Sequence, residues 1–141
     1  MRLAACLLIV LMIGVPAWGS DSAGNLTVTM EGFQNDTGLA MVSVFADAAG
    51  FPYDTSKAVR REKVAIKDRK AVVTFAALPF GSYAVAMFHD NDLSGVLEKN
   101  IFGIPKKGYG LSNNPAGSPS FDKSRITLDM PNQAIAITLE Y

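Results

Sequence analysis

Leu78-Pro79-Phe80-Gly81-Ser82-Tyr83-Ala84-Val85-Ala86-Met87-Phe88-His89-Asp90 is the stretch on which the fold turns. Pro79 and Gly81 supply a turn, and Tyr83, Val85 and Met87 then alternate with Ala84, Ala86 and Phe88. A period of two is the signature of a strand, and apolar residues on both faces mark a strand covered from two sides. This segment is therefore expected to run through the centre of a sheet. A tyrosine just after a Pro-x-Gly turn also suits a tyrosine corner, with the ring in the core and the hydroxyl bonded to upstream backbone.

Shorter strands flank it. Leu26, Val28 and Met30 alternate with Thr27, Thr29 and Glu31, and a second strand from Leu39 to Ala46 puts Val42 and Val44 on one face and Met41 and Phe45 on the other. Gly32 to Gly38 turns between them. Strands are also expected over Lys63–Lys67 and Ala71–Phe75. Two more close the chain, one with Ile126, Leu128 and Met130, the other with Ile135, Ile137 and Leu139. Seven short strands without a long helical period predict an all-β, antiparallel seven-stranded sandwich with one long ordered loop. Met30, Met41, Met87 and Met130 all fall in these strands and are read as core filler.

The N-terminus has a different character. Arg2 is followed by an apolar run to Val15, then Pro16 and the small-residue pattern Ala17-Trp18-Gly19-Ser20. This is the pattern of a secretory signal peptide over residues 1–19, cut after Gly19, with Ala23 as an alternative. Residues 20–141 would then be a single periplasmic or secreted domain. Cys6 is the only cysteine and leaves with the leader, so the domain must be held by burial rather than by disulfides. Without Arg2, 12 cations face 13 anions, which points away from nucleic acid and from an anionic membrane surface as partners. No segment of the mature chain is long and apolar enough to span a membrane. An unidentified protein or small molecule is the expected partner, and a monomer the default.

The chemistry-bearing stretch is the long segment between Asp90 and Ser124. Its apolar residues, Leu93, Val96, Leu97, Ile101, Phe102, Ile104, Tyr109, Leu111 and Phe121, predict an ordered cap buried against the sandwich. It begins Asp90-Asn91-Asp92-Leu93-Ser94-Gly95-Val96-Leu97-Glu98. Oxygens at alternating positions, followed by a glycine that lets the chain turn, can wrap calcium, which takes six to eight oxygen ligands. The candidate set is the side chains of Asp90, Asp92 and Ser94, the carbonyl of Val96 and the carboxylate of Glu98. Ile101 stands where an EF-hand carries its bidentate glutamate, so a complete EF-hand is excluded. The competing interpretation is an Asp/Asn turn whose side chains bind local amides.

His89, the sole histidine, cannot build a multi-histidine zinc site. As a general base toward Ser94 or Ser112, oriented by Asp90 or Asp92, it would make the chain a hydrolase, yet no nucleophile motif accompanies it. His89, Tyr109, Ser112 and Asn113 are the candidate ligand-binding residues. Lys106-Lys107, between Pro105 and Gly108, reads as a solvated loop tip able to receive an anionic group. The leading expectation is a non-catalytic binding or accessory module stiffened by calcium. The hydrolase and a structural envelope domain are its rivals.

Leu78-Pro-x-Gly-x-Tyr83-Ala-Val, His89-Asp90 with Gly95, Gly103-Ile-Pro105, Gly108-Tyr-Gly110, Ser112-Asn-Asn114 and Pro119-Ser-Phe121 together resemble a family of uncharacterised exported bacterial proteins, a domain of unknown function. The resemblance covers about residues 25 to 141 and implies export and an Ig-like, transthyretin-like or carboxypeptidase-regulatory-like sandwich. It implies no established activity. Members usually carry an acidic residue between the Gly-Ile-Pro and Gly-Tyr-Gly motifs, where Lys106 and Lys107 stand here. A ureide hydrolase shares the transthyretin-like architecture but needs several histidines and a C-terminal tetrapeptide, which Thr138-Leu139-Glu140-Tyr141 is not.

Overall fold

The computed structural model describes residues 22–141, so the expected signal peptide and Cys6 lie outside the described residues. Eight strands are formed: β1 Ala23–Glu31, β2 Leu39–Phe45, β3 Arg60–Ala65, β4 Lys70–Pro79, β5 Gly81–Asp90, β6 Tyr109–Leu111, β7 Ile126–Leu128 and β8 Asn132–Thr138. The only helical pieces among the described residues are single turns at Thr55–Lys57 and Phe121–Ser124. No helix among the described residues is long and apolar enough to cross a membrane.

The strands form two sheets of a β-sandwich. The smaller has the order β4-β1-β8, and the larger has the order β3-β2-β5-β6 with β7 also paired to β5. Among the described residues the one departure from antiparallel pairing is β1 with β8, which run parallel with Val28 opposite Ile135. Strand patterns placed the sides correctly. Leu26, Val28 and Met30 from β1 meet Val42 and Val44 from β2 and Tyr83, Val85 and Met87 from β5 in the main core between the sheets. The Tyr83 hydroxyl donates to the Pro79 carbonyl at 2.6 Å, which completes the tyrosine corner.

Phe45, Ala86 and Leu111 face the other way. They form a second, smaller core on the outer face of the larger sheet, covered by Phe51, Ala58 and Phe121. Phe51 packs edge-on between Phe45 and Phe121, with ring centroids 5.3 and 5.9 Å away. The β5 strand is thus covered on both sides, as its composition requires.

Four expectations are corrected. The expected strand at Lys63–Lys67 begins three residues earlier, at Arg60, and the one at Ala71–Phe75 extends to Pro79. Met130 is not core filler: β7 ends at Leu128 and Met130 sits half-exposed in the connection to β8. The long loop contains a strand, β6, and buries only part of its apolar content. Leu111 is buried, whereas Leu93, Val96, Ile101, Phe102 and Ile104 are exposed.

A lysine-centred cage beside an aromatic cleft

Asp90 ends β5, and the chain then coils tightly. Leu93 and Gly95 take positive φ values of 56° and 75°. The Ser94 amide donates to Asp92 Oδ1 at 3.1 Å, and the Gly95 amide to Asp90 Oδ2 at 2.8 Å. These are the local amide bonds of an Asx-type turn. The remaining oxygens converge on one point. Lys107 Nζ fills it, 3.0 Å from Asp90 Oδ1, 2.6 Å from Asp92 Oδ1, 2.8 Å from Ser94 Oγ and 2.8 Å from the Val96 carbonyl. An ammonium has three hydrogens, so four oxygens at these distances require one hydrogen to be shared.

Four of the five residues expected to ligate calcium are therefore brought together, around an ammonium supplied by the chain. Glu98 is not among them. Its side chain is exposed and its carbonyl accepts from the Lys106 amide at 2.8 Å. A divalent ion enters this cage only by displacing Lys107. The expectation of Lys107 as a solvated tip is overturned: its side chain is 7% exposed and that of Asp90 3%, because two neighbouring carboxylates offset the cost of burying an ammonium. Burial works against the charge on Lys107, but the hydrogen bonds it donates to Asp92 and Asp90, with the charges of those carboxylates, outweigh it and raise its pKa. The Lys107 hydrogen bond, helped by the Ser94 amide, holds the half-exposed Asp92 carboxyl well below the usual carboxylate range.

His89 points elsewhere. It is 2% exposed; Nε2 lies 2.6 Å from the Thr37 carbonyl and Nδ1 2.8 Å from the Tyr141 hydroxyl, which also accepts from the Gln34 amide at 3.1 Å. The tautomer protonated on Nε2 satisfies every member of this chain. The imidazole therefore clasps the β1–β2 turn to Tyr141, and neither nitrogen is free to act as a base. A Cβ at Gly108 would run into the Tyr141 ring, so a side chain here would push that ring away from His89. Ser112 is fully buried, accepts from the Val85 amide at 2.9 Å and donates to the Ser124 carbonyl at 2.5 Å. Asn113 donates to the Lys123 and Arg125 carbonyls at 3.2 and 2.9 Å. These residues pin the chain around β6 to its surroundings.

Tyr109 alone of the four candidate ligand-binding residues reaches an open site. A cleft of about 310 Å³ lies on the outer face of the larger sheet, between the loop before β3 and the loop after β5. Phe88, Leu111 and Tyr109 come from the sheet, Tyr53 and Leu97 from the two loops, and Arg61 from β3. Lys99 Nζ sits 3.9 Å from the centre of the Tyr53 ring and so ties one loop to the other. Burial, and then the proximity of Tyr109, raise the Tyr53 hydroxyl pKa. Among the described residues Arg61 makes no ion pair. Sequence reasoning missed Tyr53, Arg61 and Phe88 as cleft residues, because the first two lie far from the Asp-rich segment and Phe88 looked like ordinary strand filling.

The Gly-x-Tyr corner, the Asp-rich loop and the Gly-Tyr-Gly strand all fall within residues 28–136, which match a single family over that whole span. The chain belongs to the uncharacterised proteins conserved in bacteria grouped as DUF2141. No curated protein and no solved structure matches it. Family membership brings no activity with it, so the chemistry of the site rests on its own geometry.

Proposed function

We propose that this chain is an exported, non-catalytic binding module whose ligand occupies the cleft between the Tyr53 and Leu97 loops. One observation carries the reading: two loops, bridged by Lys99 on Tyr53 and braced by the Lys107 cage, hold a concave aromatic surface open on an otherwise ordinary sandwich. Its volume of about 310 Å³ is at the lower end of small-molecule sites. Tyr53, Phe88 and Tyr109 suit a flat apolar body, and the unpaired Arg61 guanidinium suits an anionic group on it. The occupied nitrogens of His89 favour binding over hydrolysis. The loop at 90–98 draws its cation from Lys107, so calcium acts there only in competition with the ammonium. The leader pattern of residues 1–19 supports export to the periplasm or beyond.

Ligand-observed NMR with benzoate and indole-3-acetate as first probes tests this. Saturation transfer to the ring protons is expected, and its loss in the Arg61→Gln and Tyr53→Ala variants, whose positions are exposed and dispensable for the core. Absence of transfer from either probe, or a signal that persists in both variants, refutes the cleft as the ligand site.

A further inference from the structure

The two most exposed large apolar side chains in the described residues are neighbours. Ile101 is 94% and Phe102 80% exposed, and Ile104 follows at 58%. Burial of these groups was expected, and geometry denies it. Lys99 and Pro105 pair as an isolated antiparallel bridge, so residues 99–105 form a small hairpin with Ile101 and Phe102 at its tip.

The hairpin is rigidly closed on itself. The Asn100 amide donates to the Ile104 carbonyl at 2.9 Å and the Gly103 amide returns to the Asn100 carbonyl at 2.9 Å. The Asn100 side-chain oxygen accepts from the Phe102 and Ile104 amides at 2.9 and 3.0 Å. The Lys106 amide is taken by the Glu98 carbonyl. Four amides of the protruding tip, those of Asn100, Phe102, Gly103 and Ile104, are already paired, which lowers the cost of carrying this backbone out of water, the constraint a bilayer imposes on any chain it admits. Cations stand at both feet. Lys106 is exposed and makes no ion pair among the described residues, and Lys99 lies against Tyr53; Glu98 is the one carboxylate beside them.

We propose that the 99–106 hairpin is a lipid-insertion tip: Ile101, Phe102 and Ile104 enter the outer acyl region of a bilayer while Lys106 meets headgroup phosphates. The near-zero net charge makes apolar insertion the driving force and the lysine a local guide. The site is separate from the cleft and does not depend on a ligand there. Because the Lys107 cage fixes the foot of the hairpin to β5, insertion anchors the whole sandwich rather than a loose loop.

The test uses the exported form beginning near Ser20, which contains every residue of the described core, with vesicles of phosphatidylethanolamine and phosphatidylglycerol. Trp18 lies in the leader, so a Phe102→Trp variant carries the single indole. Its emission is expected to shift to the blue with vesicles and to be quenched by lipids brominated on the acyl chain. Ile101→Ser/Phe102→Ser is expected to lower vesicle co-sedimentation by about tenfold or more with an unchanged Tm, since two large apolar side chains lose their transfer gain. Emission that stays at its solvent value with vesicles overturns the proposal. So does a Tm that falls in the double variant, which would make the tip a packing element. A wild-type dimer that the double variant abolishes, without vesicle binding, would make it a protein contact instead.

Discussion

Removing the ammonium from the cage is the sharpest perturbation available. Lys107→Met keeps the length and apolar stem of the side chain and deletes one charge. Asp90, 3% exposed, is then left with the Gly95 amide at 2.8 Å and the weaker Ser94 hydroxyl at 3.4 Å as partners. Breaking a buried pair by removing one partner typically costs about 3–5 kcal/mol, because the survivor keeps its desolvation penalty. Asp92 is solvent-exposed and adds no figure to this. At about 3–5 °C per kcal/mol for a domain of this size, the Tm is expected to fall by about 9–25 °C. Differential scanning calorimetry in chelator reads that fall. The triple variant Lys107→Met/Asp90→Asn/Asp92→Asn removes the orphaned charges and is expected to recover part of it, which separates electrostatics from packing. In millimolar calcium the wild type is expected to show no shift and Lys107→Met a rise, as any ligand confined to the folded state must produce. A Lys107→Met variant within about 2 °C of wild type in chelator would falsify the view that the cage supports the fold.

Two further outcomes follow from the same geometry. The pKa of Asp92 is depressed below its ordinary 3.8 in the folded chain, so its contribution is full above that value and is lost as pH falls; that of Lys107 is raised above 10.5, so its contribution is full below 10.5 and is lost as pH rises. Urea midpoints should decline on both limbs, and Lys107→Met should flatten the alkaline one. Tyr83→Phe deletes the 2.6 Å bond to the Pro79 carbonyl and is expected to cost about 1–2 kcal/mol in urea unfolding, with no change in probe binding at the cleft.

Much of the sandwich was legible because alternation reports directly which side chains must leave water. Val42 and Val44 went to the main core and Phe45 to the outer one, as their spacing in β2 implies. Pairing partners are a different matter. Nothing local in Asn132–Thr138 says that it will lie parallel to β1, and three residues at Tyr109–Leu111 are too few for a period to appear. Hydropathy also states what would gain from burial, not what the backbone can reach. That is why Ile101 and Phe102 were expected inside and are found at a hairpin tip. In the Asp-rich loop the oxygens were readable from their spacing, since neighbours in a tight turn share a focus. The cation was not, because Lys107 arrives from thirteen residues beyond Ser94 by way of that hairpin. Charge balance alone gave a clue: two carboxylates facing one point call for a positive partner, and of Lys99, Lys106 and Lys107, Lys99 is the nearest in sequence while Lys107, the farthest, is the one that arrives.

The parallel pairing of β1 with β8 sets an order of events. The strand at Ala23–Glu31 has β4 on one side and residues 132–138 on the other, and the Thr37 carbonyl waits on His89 and, through it, on Tyr141. The β1–β8 pairing closes a loop of about a hundred residues and each His89 contact one of 52, and topology makes such long closures slow. A chain emerging from its N-terminus can pair β2 with β3 and then with β5 before the smaller sheet is finished, because that sheet waits on β8. The smaller sheet therefore gains its third strand last, when residues 132–138 dock beside β1.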